Sequence, residues 1–297
     1  MPTHNAEQVR RFWQDRAQGT GVVEEKVTHP DVWQRQLEIE MIKRFVSPTD
    51  RVLDIGCGNG YTTRRIAPLV SDIVGMDYAK EMIDRAVTET GANESGSLTF
   101  KGKGIWALYD RVFRQSQLEG GSLTFKVKDV LALSPEDFGL FDLVISERCL
   151  INLESWADQQ RAISNIASVI KPGGRFIFVE GSKQGRANLN KLRQAVGLEA
   201  MPTVWHNIDF DEDETLAYLR NDFTVDKKLS FGVYDFVARV AHPLIVAPDA
   251  PQYDSRINEV AATLALSADE FVSLSRVLGL VLRKKSRGHR SPNGGRE

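Results

Sequence analysis

Apolar positions follow two different spacings along the middle of the chain. Short apolar runs predict strands at 51–55, 72–76, 122–127, 141–146 and 175–180. Apolar positions at helical spacing between these runs predict helices at 61–70, 79–90 and 156–170. Strands that alternate with helices are typical of a parallel sheet covered on both faces. Ligands of such sheets bind beyond the carboxyl ends of the strands.

The flanking segments predict further elements. Helices are expected ahead of the first strand, at 6–17 and 30–46. The second of these has an apolar face made of Val32, Trp33, Leu37, Met41, Ile42 and Phe45. The alternating run at 229–239 predicts a sixth strand, and 278–283 predicts a last, antiparallel strand.

The hexapeptide Gly-Ser-Leu-Thr-Phe-Lys occurs twice, at 96–101 and at 121–126. The second copy leads into Lys128 and Asp129, so it is assigned to the third strand. Residues from 96 to 120 are then expected to be an insertion, whose apolar positions predict a helix packed on the domain. A mobile lid over the substrate and a surface for a partner or a membrane are the alternatives.

A glycine-rich loop follows the first strand. Asp54 ends the strand, and Gly56, Gly58 and Gly60 stand at alternating positions after it. Glycine tolerates a positive φ and lets backbone N–H groups approach a ligand closely. Asp77 ends the next strand, where a carboxylate can accept hydrogen bonds from a ribose diol. The loop and Asp77 together indicate a site for the polar part of a small ligand.

Several motifs resemble those of one family, the class I S-adenosylmethionine-dependent methyltransferases. The loop Asp54-Ile-Gly-Cys-Gly-Asn-Gly60 matches the family's first motif position by position. The segment 128–130 resembles the adenine-contacting third motif, 141–147 the fourth strand, and 170–180 the turn into the fifth. The resemblance covers residues 46–182 and implies an α/β, Rossmann-like fold that binds S-adenosylmethionine as its cofactor.

The resemblance also implies which residues hold the methyl donor. They are Asp54, Gly56, Cys57, Gly58, Gly60, Asp77, Tyr78, Met82, Asp129, Val130 and Glu147. The acids of this set supply negative charge around a donor that carries a positive sulfonium. The carboxylate at 129 is expected to accept from the exocyclic amine of adenine.

Methyl transfer is an in-line displacement, so much of the catalysis can come from holding the acceptor atom against the methyl group. A hydroxyl acceptor gains from a general base, whereas an amine needs only to lose its proton and a carboxylate needs no base. The candidate catalytic residues are His206 and Glu147. The candidate substrate contacts are Arg148, Glu180, Arg193 and Asn207. Packing, capping or surface roles are the alternatives for each of them.

Composition limits the classes of function. The net charge of -2 gives no general attraction to nucleic-acid phosphates, so no nucleic-acid partner is expected. The two cysteines, Cys57 and Cys149, have neither metal-ligand spacing nor a disulfide pattern, and no metal site is predicted. The sequence has no apolar run of ~20 residues and no signal-peptide pattern at its start, which predicts a cytoplasmic protein without a membrane span.

These patterns predict a seven-stranded, mostly parallel sheet with helices on both faces. A helical cap at 1–46 is expected to precede a methyltransferase domain at 47–285, and 286–297 is expected to be a disordered tail. Insertions are expected at about 96–120, 186–220 and 240–275. The oligomeric state is left open.

The predicted function is methylation of a small molecule, at an oxygen of a sugar, a glycan precursor or a natural-product intermediate. Transfer to nitrogen or carbon is one alternative, and a non-catalytic subunit that binds S-adenosylmethionine is another. A nicotinamide oxidoreductase is disfavoured because Tyr61 stands where the dinucleotide fingerprint needs a small residue.

Overall fold

A computed structural model describes residues 5–19, 22–94, 121–268 and 271–286. The expected insertion at 96–120, the first copy of the hexapeptide and all but the first residue of the expected tail at 286–297 lie outside the described residues.

The strands form a single sheet. They are β1 (Arg51–Ile55), β2 (Asp72–Asp77), β3 (Ser122–Val127), β4 (Phe141–Glu147), β5 (Ile170–Gly181), β6 (Phe223–Leu229) and β7 (Val277–Lys284). The seven strands are arranged in the order β3-β2-β1-β4-β5-β7-β6. Strands β1 to β5 pair in parallel, and β7 lies antiparallel between β5 and β6. The predicted Rossmann-like sheet is confirmed, and the second hexapeptide copy forms β3.

Helices cover both faces of the sheet. They are α1 (Ala6–Gln18), α2 (Val32–Lys43), α3 (Tyr61–Ile66), α4 (Lys80–Glu94), α5 (Pro135–Phe138), α6 (Trp156–Val169), α7 (Lys183–Ala195), α8 (Glu212–Leu219), α9 (Gly232–Phe236), α10 (His242–Val246) and α11 (Arg256–Ala265). A π-helix at Val237–Ala241 joins α9 to α10. Short 3₁₀ turns lie at Glu24–Lys26, Ala67–Leu69, Val130–Ala132, Leu150–Asn152 and Val272–Leu274.

The core has two layers, one on each side of the sheet. Strand β4 contributes Val144 to one layer, together with residues of α6. It contributes Leu143 and Ile145 to the other layer, together with residues of α2 and α11. All three side chains are fully buried, and burial of each is worth roughly 1.5 to 3 kcal/mol. This two-sided burial explains why the strand reads as a continuous apolar run.

The sixth strand predicted at 229–239 is wrong. Strand β6 ends at Leu229, and the chain continues as α9 and the π-helix. Phe231, Tyr234 and Ala238 are buried together in one core layer, and their spacing of three and four residues is that of a helix. The same short apolar run therefore fits both the two-residue period of a strand and the 3.6-residue period of a helix, and tertiary packing selects the helix.

Candidate functional site

The glycine loop lies at the carboxyl end of β1 and leads into α3. Gly60 has a φ of 70° and forms the N-cap of α3, and Gly56 has a φ of 65°. A Cβ atom at Gly56 would overlap the sulfur of Cys149. Glycine is therefore required where the loop approaches the turn that follows β4.

Asp77 connects the end of β2 to the glycine loop. Its Oδ2 accepts the N–H of Gly58 at 3.0 Å, and its Oδ1 accepts the N–H of Ala79 at 2.9 Å. The backbone N–H of Tyr78 also donates to this carboxylate, which leaves lone-pair capacity for a ligand hydroxyl. Burial raises the pKa of Asp77 to about 6, and the backbone hydrogen bonds oppose that rise.

Asp54 is buried beneath α3. Its Oδ2 accepts the hydroxyl of Thr63 at 2.6 Å. Burial raises the pKa of Asp54 to about 7, although this hydrogen bond and the charge of Arg35 oppose the rise. The carboxylate thus fixes the start of α3 and adds negative potential below the loop.

The predicted acids share one neighbourhood around Cys149. Burial raises the pKa of the Cys149 thiol, and it is raised further by the charges of Glu180, Asp77, Asp54 and Asp129. Asp129 begins the turn Val130–Ala132, where its Oδ1 accepts the N–H of Leu131 at 2.8 Å. The structure therefore brings together carboxylates from the ends of β1, β2 and β3.

Tyr78 completes this side of the site. Burial and then the charge of Asp77 raise the pKa of its phenol. Within the described ranges its hydroxyl is buried and has no hydrogen-bond partner. Of the other predicted donor contacts, Cys57, Met82 and Val130 are buried; Met82 packs with Ala17 at the end of α1.

Helix α1 lies across the strand ends. Trp13 donates from Nε1 to Oδ1 of Asn152, in the turn after β4, at 3.0 Å. Gln14 donates from Nε2 to Oε1 of Glu81, on α4, at 3.2 Å. The helix therefore bridges two sides of the candidate donor site.

His206 is buried in an aromatic cluster beside the turn after β4. Its ring centroid lies 4.6, 5.5 and 5.0 Å from those of Phe12, Trp13 and Trp205. The backbone N–H of Ile208 donates to the carbonyl of Ile151 at 2.7 Å, which attaches the loop of His206 to that turn. The Oδ1 of Asn207 is buried and has no hydrogen-bond partner among the described residues.

Glu147 ends β4 and points towards α2 and α3. Its Oε2 accepts the hydroxyl of Thr62 at 2.7 Å. Burial and then the charge of Glu38 raise the pKa of Glu147 to about 8. At neutral pH the protonated form therefore dominates, which is unfavourable for a general base.

Arg148 and Glu180 shape the turn after β4. Arg148 has a positive φ of 55° and donates from Nε to Glu38 at 3.0 Å. Glu180 accepts the hydroxyl of Ser146 at 2.5 Å. It also accepts the backbone N–H groups of Cys149, Leu150 and Ile151. Because the protein already occupies both Glu180 oxygens, this side chain positions the turn and is a poor substrate contact.

Arg193 lies on α7, apart from the carboxylate cluster. It donates from Nε to the carbonyl of Glu199 at 2.8 Å and from Nη1 to the carbonyl of Arg239. The structure thus places the predicted site residues in two groups. Asp54, Asp77 and Asp129 lie in the neighbourhood of Cys149, whereas Arg193 borders the π-helix.

Several polar residues of the site were not predicted. Thr62 and Thr63 follow Gly60 directly, and their position in the first turn of α3 is a signal that could have been used. Gln34 and Glu38 are fully buried on the face of α2 that also carries Leu37, Met41 and Ile42. A polar residue on the apolar stripe of a helix indicates a buried hydrogen-bond network.

The described ranges contain no cluster of three or more His, Cys, Asp or Glu side chains that could hold a metal ion. None of the described helices is both long and apolar enough to cross a membrane.

Comparisons with known proteins agree with this geometry. Residues 53–178 match the Methyltransf_11 family, a methyltransferase domain. The uncharacterized methyltransferase YcgJ of Bacillus subtilis is 31% identical over 130 residues, which are 44% of this chain and 40% of that protein. The ubiquinone biosynthesis O-methyltransferase of Coxiella burnetii is 28% identical over 138 residues, 46% of each chain. The matched region spans less than half the length of these relatives.

Two solved structures share the fold along nearly the whole chain. Magnesium protoporphyrin IX methyltransferase from Synechocystis, with bound S-adenosylhomocysteine, has a TM-score of 0.56 at 17% identity, covering 95% of this chain and 100% of that one. The N-methyltransferase NodS from Bradyrhizobium japonicum has a TM-score of 0.52 at 15% identity, covering 94% and 99%. Residues 53–178 therefore form a methyltransferase domain, and the chain shares its fold with these two methyltransferases.

Proposed function

We propose that the protein transfers the methyl group of S-adenosylmethionine to an oxygen atom of a small molecule. The observation that carries the proposal is that Asp77, at the end of β2, accepts the backbone N–H groups of Gly58 and Ala79 and so lies against the glycine loop. Buried carboxylates favour a bound cation, and the donor carries its positive charge on the sulfonium. The free lone pairs of Asp77 fit a ribose diol, and the unpartnered hydroxyl of Tyr78 fits a further polar atom of the donor.

The two segments that lie over the carboxyl ends of the strands favour a small acceptor. Helix α1 is tied to the turn after β4 through Trp13 and Asn152. The loop of His206 is tied to the same turn through Ile208 and Ile151. A polymer substrate would have to displace one of these contacts, whereas a small molecule can be enclosed by them.

The chain's own residues would act mainly by orientation. When bound, the donor supplies an electrophilic methyl group. The turn after β4, held by Glu180, faces the glycine loop at the closest approach of Gly56 and Cys149. An acceptor bound beside this turn lies next to the loop of His206, which is attached to the turn through Ile208 and Ile151. We assign to His206 the removal of the proton from a hydroxyl acceptor. The raised pKa of Glu147, about 8, makes that carboxyl a poorer base at neutral pH.

The relatives are named for methyl transfer to different kinds of atom. The curated matches include an O-methyltransferase and a C-methyltransferase of quinone biosynthesis, and NodS is named an N-methyltransferase. Oxygen is our choice because a hydroxyl is the acceptor that gains most from the buried imidazole of His206. We propose a sugar, a glycan precursor or a natural-product intermediate as the acceptor. Transfer to nitrogen or carbon is the second candidate, and a non-catalytic donor-binding subunit is the third.

Methyl transfer from labelled S-adenosylmethionine to a panel of hydroxylated small molecules tests the proposal. Label in a methyl ether or ester, reduced with Asp77→Ala at subsaturating donor concentration, is the expected result. Label in amines alone would reject the oxygen assignment. Donor binding without label in any acceptor class would favour the non-catalytic alternative.

A further inference from the structure

A row of arginine side chains runs from the turn after β4 to α7. Three of them pair with buried carboxylates: Arg148 with Glu38, Arg276 with Asp235 and Arg239 with Asp31. Gln34 links two members of the row, because its Oε1 accepts from Arg239 at 3.1 Å and from Arg276 at 2.7 Å. Arg193 is the last member.

Arg193 differs from the others in its partners. It donates to two backbone carbonyls, those of Glu199 and Arg239. No Asp or Glu in the described ranges lies within ion-pair distance of it. Burial lowers the pKa of Arg193, and the neighbouring charge of Arg239 lowers it further. Arg193 therefore lies within electrostatic range of Arg239, whose own ion-pair partner is Asp31.

Arg239 has an unused donor at this place. Its side chain is 6% exposed, and its Nε is buried without an acceptor in the part of the chain that the structure describes. Buried N–H groups of this kind are rare and usually have an unseen partner. Arg239 belongs to the π-helix at Val237–Ala241, and π-helical turns are frequent at functional sites.

The cluster is accessible from outside. Cζ of Arg239 lies 4.8 Å from the ring centroid of Tyr253, and Tyr253 is 43% exposed. Arg193 is half-buried. An incoming group can therefore reach Arg193 and the phenol of Tyr253, an additional hydrogen-bond donor, and the ring of Tyr253 packs on the buried guanidinium of Arg239.

We propose that Arg193 and Arg239 bind an oxyanion, a carboxylate or a phosphate, carried by the methyl acceptor. Arginine presents a planar fork of donors that matches either group. The cluster borders the elements that follow β5 and β6, at the edge of the sheet where the donor site lies. The role of this cluster as an acceptor subsite rests on the proposed function. The binding of an anion by the two arginines does not depend on it.

Calorimetric titration with inorganic phosphate and with acetate, at fixed ionic strength, tests the binding. Arg193→Gln removes the charge of a half-buried side chain and spares the Asp31 pair. We expect phosphate or acetate to bind wild-type protein and Arg193→Gln to weaken that binding by roughly tenfold or more. Arg193→Lys should recover part of it, because the charge stays and the fork is lost. Arg283→Gln is the matched control and should not change anion binding, because it alters a half-exposed arginine of β7 that pairs with Asp226 of β6.

A second measurement links the anion to methyl transfer. For a matched pair of acceptors, a hydroxy acid and its amide, Arg193→Gln should lower kcat/KM for the acid and leave the amide unchanged. Equal anion affinity in wild type and Arg193→Gln, or no binding to wild type, would overturn the anion site. Equal loss for acid and amide would overturn its role as an acceptor subsite. Titration of each variant with S-adenosylhomocysteine reports separately on the donor site of the proposed function.

Discussion

The carboxylate of Asp77 accepts the backbone N–H of Gly58 at 3.0 Å. This bond fixes the middle glycine of the loop to the end of the neighbouring strand. Asp77 therefore has two roles, because the same side chain shapes the loop and offers lone pairs to a diol. A substitution there should affect both the affinity for the donor and the order of the loop.

The first prediction concerns that residue. Asp77→Ala should weaken binding of S-adenosylhomocysteine at least about tenfold, because a hydrogen bond to a charged group is worth ~1.5 to 3 kcal/mol. Titration calorimetry measures the change. Asp84→Asn, an exposed residue paired with Lys80 on α4, is the control and should bind normally. Unchanged affinity in Asp77→Ala would remove this carboxylate from the donor site.

The second prediction is a pH dependence of donor affinity. Burial raises the pKa of Asp77 to about 6 and that of Asp54 to about 7. A bound sulfonium favours the ionised carboxylates, so binding should release protons and strengthen as pH rises from about 5.5 to about 8. S-adenosylhomocysteine lacks the sulfonium and should show a weaker dependence. Parallel pH curves for the two ligands would contradict this coupling.

The third prediction concerns Glu147. Its pKa of about 8 exceeds the ~4.3 of an unfolded chain. Such a group stabilises the fold most below the unfolded pKa, and this contribution is lost as pH rises through the folded pKa. The Glu147→Gln variant should therefore become more stable relative to wild type as the pH rises from about 5 to about 8. Above about pH 8 the difference in the free energy of unfolding should stay constant.

Denaturant unfolding across that pH range measures the difference for Glu147→Gln. Glu214→Gln on the exposed face of α8 is the matched control for the loss of one carboxylate. A constant difference for Glu147→Gln would show that Glu147 is ionised in the folded protein.

The fourth prediction tests the assigned base. His206→Ala should lower turnover of a hydroxyl acceptor by ~10² to 10⁴ while donor affinity is kept. Trp205→Phe keeps an aromatic ring beside His206 and serves as the packing control. Near-normal turnover in His206→Ala would show that catalysis depends on proximity and orientation without this base. It would favour an amine or a carboxylate as the acceptor.

The central strands were predictable because they are buried on both faces. The run 51–55 matches β1 without error, and the glycine loop after it limits the possible ligands. Edge strand β6 was missed for the opposite reason. Its ends, Phe223 and Leu229, are buried, but the residues between them are exposed and include Lys227 and Lys228. Polar edge strands protect a sheet from pairing with other chains, and they lack the apolar signal of a strand.

The acceptor side of the site could not be derived from local patterns. Arg239, Asp31 and Gln34 meet through hydrogen bonds across more than 200 positions of sequence. No spacing rule brings such residues together. The boundaries of the domain, the insertion at 96–120 and the roles of the individual site residues stay predictions.

Titration of the wild-type protein with S-adenosylmethionine tests the central claim most directly, with NADH as the comparison ligand. The account predicts one equivalent of S-adenosylmethionine bound with a micromolar dissociation constant, competition by S-adenosylhomocysteine, and no binding of NADH. No detectable binding of S-adenosylmethionine at millimolar concentration, or tighter binding of NADH, would contradict it.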